Sequence, residues 1–82
     1  MFINKAQNGK NNICGVNIAI IRKELNISQR ELADRLQISG LDVDKNAVQR
    51  IESGQRFVTD IELIAFAKVL NKSYEELLHI EE

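Results

Sequence analysis

Proline and tryptophan are absent from this chain of 82 residues, and cysteine and histidine occur once each. Without proline, and with only 4 glycines, helices can run unbroken between short turns. A single cysteine excludes an internal disulfide framework, and a single histidine excludes a His-rich metal site; both suit a reducing cytoplasm. Aromatic residues make up only 5% of a chain that is 44% apolar, so one small core must be built from aliphatic side chains. No apolar run approaches the ~20 residues of a membrane span, and no basic-then-apolar leader opens the chain. The expectation is a soluble cytoplasmic protein with no membrane partner and no cofactor.

A strong excess of positive charge is also missing, since 11 Lys and Arg against 12 Asp and Glu leave a net −1. The charge is nonetheless segregated. Residues 1–56 hold nine basic against six acidic side chains (+3), and residues 57–82 hold two against six (−4). Screening confines the acidic end to an influence of roughly 8–10 Å at cellular salt, so a local face decides any encounter with a polyanion.

The segment from Ser28 to Gly54, SQRELADRLQISGLDVDKNAVQRIESG, organises the rest. Its spacing predicts one short helix over Gln29 to Leu36, with Leu32, Ala33 and Leu36 inward, and a second over Lys45 to Ser53, with Val48 and Ile51 inward. Ala33 is the small residue that lets the second helix cross at close range. Lys45, Asn46, Gln49 and Arg50 then share the outward side near the start of the second helix. They are long and donor-rich, as a helix laid in the major groove of DNA requires. Asn46 and Gln49 each offer a paired donor and acceptor for adenine, and Arg50 a fork for guanine. Of the alternating charges Arg30, Glu31, Asp34 and Arg35, an ordinary solvated face, only Arg30 is placed for a phosphate.

Three further helices frame that pair. The first is expected from Ile13 to Leu25, with Asn12 as cap, Asn26 as stop, and Cys14, Ile18, Ile21 and Leu25 on one buried stripe; Val16 and Ile20 lie off it. The fourth, Asp60 to Leu70, is expected to bury Ile61, Ile64 and Ala65, with Ala67 and Leu70 at the stripe's edges and Phe66 able to turn inward. The fifth, Tyr74 to Ile80, presents Leu77 and Leu78. Ser28/Glu31, Thr59/Glu62 and Ser73/Glu76 form three capping boxes ahead of the second, fourth and fifth helices. Ile38, Leu41 and Val43 are expected to anchor the turn around Gly40, Asp44 to cap the helix after it, and Gly54 to close that helix. Residues 1–12 form a polar arm, either frayed or reaching along phosphates. Phe2 and Ile3 could pack on the domain or on a second subunit. Residues 13–80 form the domain, and 81–82 a frayed tail.

The motifs SQRELADRL, NAVQRIESGQR and DIELIAFAKVLNKSYEELL, over about Ile13 to Leu78, resemble the phage-repressor-like family of helix-turn-helix domains, the xenobiotic-response-element or Cro-like type. The resemblance implies an all-α, lambda-repressor-like bundle of five short helices, with the second and third forming the helix-turn-helix. It also implies that Gln29 contacts a phosphate and braces a base-reading side chain, and that Lys45, Asn46, Gln49 and Arg50 read bases. Arg56 is implied as a phosphate contact, and Glu52 as the partner of Arg22 in a structural ion pair. The chain departs from the pattern in its turn. Gln29 and Val48 stand nineteen residues apart where fourteen is common, and Gln37 replaces the usual glycine.

Function follows as an expectation. The leading one is a sequence-specific regulator, a repressor, binding a double-stranded DNA operator as a homodimer. Val16, Ile20, Phe57, Leu78 and Ile80 are candidates for the dimer surface. The alternatives are a protein-interaction module on the same fold, such as an antitoxin or an anti-repressor partner, and a fragment of a larger regulator. No catalytic set is visible: Cys14 lies on an apolar stripe without a base, His79 lacks a ligand-spaced partner, and Gly9-Lys10 is no phosphate loop.

Overall fold

The computed structural model describes residues 5–6 and 9–80. Five helices follow one another, α1 (Cys14–Glu24), α2 (Gln29–Ile38), α3 (Lys45–Glu52), α4 (Asp60–Leu70) and α5 (Tyr74–Leu77), with no strand among the described residues. This is the expected all-α bundle.

End chemistry sets these boundaries. Ser28, Asp44, Thr59 and Ser73 each accept a hydrogen bond from the amide three residues on. Four helices stop at a residue with positive φ, namely Asn26, Gly40, Gly54 and Asn71. After each, a six-to-one bond closes the last turn: Ile27 N to Arg22 O, Leu41 N to Leu36 O, Gln55 N to Arg50 O, and Lys72 N to Ala67 O. Asparagine and glycine tolerate the left-handed conformation that this closure needs.

The core is aliphatic apart from Cys14 and Phe66; Phe66, its largest fully buried side chain, joins Ile18, Leu32, Leu36, Val48, Ile51 and Leu77. Helix α3 packs against both α1 and α2, while α4 closes on α2 and α5. Ala33 is buried on α2, the helix that packs on α3. A second small residue is just as necessary. A Cβ on Gly15 would overlap the carbonyl oxygen of Ile51, so the start of α1 rests directly on the backbone of the last turn of α3.

Several expectations are corrected. Leu25 is 44% exposed, because α1 ends at Glu24 and the chain turns away through Asn26. Ile38 is 87% exposed; α2 extends to include it, and Leu41 and Val43 anchor the turn instead. Ile61 (70%) and Ile64 (51%) point outward, and α4 buries Glu62, Phe66, Ala67 and Leu70. Helix α5 stops at Leu77, leaving Leu78 and Ile80 exposed. Two capping boxes are reciprocal, but Glu31 pairs with Arg35 at 3.5 Å, so Ser28 caps without a returning carboxylate.

The polar arm is tied down over part of its length. Asn12 Oδ1 accepts from Gly15 N at 2.9 Å, and its Nδ2 donates to Ile51 O and Arg56 O at 3.0 and 2.7 Å. Asn11 adds a backbone bond to Gly54 O and a side-chain bond to Gln55 O. Residues 11–12 thus staple α1 to the end of α3. The expectations for Phe2, Ile3, Glu81 and Glu82 lie outside the described residues.

Candidate nucleic-acid interface

Helix α3 is amphipathic in the simplest sense. Ala47, Val48 and Ile51 are buried, and Lys45, Asn46, Gln49 and Arg50 on the other side are all exposed. Asp44 fixes the start of the helix by accepting from Ala47 N at 2.8 Å. The long turn before it, residues 39–44, is braced from within: Gln37 Nε2 donates to Val43 O at 2.7 Å. Gln37 thus holds the extended turn against α2.

None of the four outward side chains of α3 is hydrogen-bonded or ion-paired to a described residue. Asn46, Gln49 and Arg50 line one shallow groove of about 470 Å³ together with Asp44, Ser53 and Gln55. Lys45, on the first turn, lies outside it. Ser53 and Gln55 escaped the sequence analysis because they follow the apolar pattern of α3 rather than belong to it. The available signal was Gly54, whose left-handed turn brings the next residue back beside the helix end.

Behind this face sits a polar anchor. Glu52 receives Arg22 Nε at 2.7 Å, Arg22 Nη2 at 3.1 Å and Gln29 Nε2 at 3.0 Å. The side chains of Arg22 and Glu52 are 11% and 7% exposed, and Arg22 Nη1 also donates to Ile27 O at 2.8 Å. Three helices are locked by one carboxylate whose oxygens are all occupied, as a buried charge requires. Arg56 is committed in the same way. Its Nη2 meets Glu62 Oε2 at 3.0 Å, and Glu62 Oε1 completes the cap on Thr59 N. Nη1 of Arg56 is buried without a partner among the described residues. Arg30 stands exposed on α2.

Burial pushes the Cys14 thiol up to about 11, so it stays protonated. No group of His, Cys, Asp or Glu among the described residues could hold a metal ion. No helix of the described chain is long and apolar enough to cross a membrane.

A family model described as helix-turn-helix (HTH_3) matches residues 18–77. The chain belongs to the Cro-like helix-turn-helix family. No curated protein and no solved structure matches it. The match runs from within α1 to the end of α5, so it contains the whole α2–turn–α3 unit and the Arg22–Glu52–Gln29 anchor. The Asn11–Asn12 staple lies before it. Within this helix-turn-helix domain, α2, the long turn and α3 form the two-helix unit.

Proposed function

We propose that this helix-turn-helix domain is a sequence-specific transcriptional repressor that lays α3 in the major groove of a two-fold DNA operator. One observation carries this: the side of α3 opposite Val48 and Ile51 projects four long polar side chains with no partner among the described residues. Asn46 and Gln49 match the paired edge of adenine and Arg50 that of guanine, each pair discriminating by about 1–3 kcal/mol. Lys45 and Arg30 contact phosphates on either side. Gln29 gives one of its two side-chain N–H donors to Glu52, which leaves the second, together with the unbonded backbone amides at the N-terminus of α2, for a phosphate. Arg56, held by Glu62, orders the loop after α3 and contributes to phosphate binding through its position rather than as an unengaged cation.

Selection of bound sites from random duplex DNA tests the proposal. The expected result is an inverted repeat whose half-sites lie about one helical turn apart. Asn46→Ala and Gln49→Ala should relax base preference within each half. Failure to enrich any sequence would overturn it and favour the protein-interaction module, for which the exposed apolar residues of α4 are the supporting feature.

A further inference from the structure

Helix α4 is apolar on both sides. Its inner face carries Leu63, Phe66, Ala67 and Leu70 into the core. At about 100° per residue, Ile61, Ile64 and Lys68 form a second stripe on the opposite side. Ile61 and Ile64 are 70% and 51% exposed, and Phe57, just before the helix, is 50% exposed. Nothing in the described chain covers this stripe, and a helix that is apolar all round is ordinarily buried all round.

The charges at its ends say what covers it. Asp60 lies in the first turn and Lys68 in the last, both exposed and neither ion-paired to a described residue. They are placed symmetrically about Ile64, about 6 Å along the axis on either side. An antiparallel copy of α4 related by a two-fold axis through Ile64 sets Asp60 of each chain beside Lys68 of the other. It also packs Ile64 on Ile64 and Ile61 against the aliphatic stem of Lys68. A parallel pair would oppose like charges. The outer side of α1, the other apolar candidate with Val16 and Ile20, has no acidic residue in its first turn and two basic ones in its last, so it is not self-complementary.

We propose that the outer stripe of α4 is a homodimer interface formed by antiparallel α4–α4 packing across Ile64. This rests on the two-fold operator proposed above and assigns the surface that makes the two-fold. An isologous contact of this kind closes on itself, giving a dimer and not a chain of subunits. The apolar patch is small, so association in the absence of DNA should be weak.

Cross-linking of the full chain without DNA is the test. Ile64→Cys places each thiol opposite its own copy and should form a disulfide-linked dimer on mild oxidation. Ile20→Cys should stay monomeric. Native Cys14, buried, should not compete. In sedimentation equilibrium up to about 1 mM, Asp60→Lys and Lys68→Asp should each weaken association roughly tenfold or more, and the double swap should restore it to within about threefold. Cross-linking through Ile20→Cys instead, or a chain monomeric throughout with neither variant cross-linked, would overturn the α4 interface. Either result would leave half-site binding by α3 intact. Loss of DNA binding by a chain that still cross-links through residue 64 would count against the major-groove proposal alone.

Discussion

At the scale of single residues, the carboxylate of Glu52 is the most consequential group behind the exposed polar side of α3. It accepts three hydrogen bonds from two helices while almost fully enclosed. Glu52→Ala should therefore cost about 3–5 kcal/mol, because the Arg22 guanidinium would be left enclosed without its counter-charge. That is a large share of the roughly 5–15 kcal/mol that holds a small domain together. Glu31 offers the contrast. Its pairing with Arg35 spans 3.5 Å between side chains that are 49% and 46% exposed, and Glu31→Ala should shift stability by no more than about 1 kcal/mol. Urea denaturation of both variants checks the pair of values. Similar losses in the two would mean that the Arg22–Glu52 contact is not the anchor described.

At the scale of elements, the crossing of α1 over α3 depends on one missing side chain. Alanine is the better helix former by about 1 kcal/mol, so Gly15→Ala on an isolated helix would be stabilising. Here the added methyl meets the Ile51 carbonyl, and Ile51 O already accepts the amide of Asn12. Backbone cannot give way as a flexible side chain can, so α3 must shift as a unit. The expected outcome is a net loss of about 1–3 kcal/mol and a fall in operator affinity larger than the stability change explains. Thermal melts and DNA titration of the same preparation measure the two effects separately. This crossing also shows what sequence could and could not disclose. The starts of α3, α4 and α5 and the stops after α1 and α3 were legible because capping is local: Asp44, Thr59, Ser73, Gly54 and Asn26 act on amides and carbonyls within a few residues, whereas the ends of α2 and α5 were misplaced by two and three residues. The exposed polar side of α3 was legible because the helix has one apolar side only. The orientation of α4 was not, since Ile61, Ile64, Phe66 and Leu70 supply apolar residues in every direction and periodicity cannot choose among them. Gly15 and the Asn11–Asn12 staple depend on backbone more than thirty residues away, which leaves no local trace.

At the scale of the molecule, the balance of charge decides how tightly non-target DNA is held. The −4 of residues 57–82 offsets the +3 of residues 1–56, so the domain as a whole is not drawn to a polyanion. Attraction comes from the few cations on the α2–α3 side, and counterion release ties each phosphate contact to a salt slope of about −0.9 per contact. Lys45→Ala should therefore flatten the plot of log affinity against log salt by roughly one unit and weaken all sequences alike. Gln49→Ala should leave that slope unchanged and reduce only the preference for the selected site. The two substitutions sit four residues apart on the same exposed helix face, so a difference in slope cannot be put down to a difference in folding. If both flattened the salt dependence equally, or neither did, the division of α3 into a phosphate-contacting first turn and a base-reading groove would be wrong.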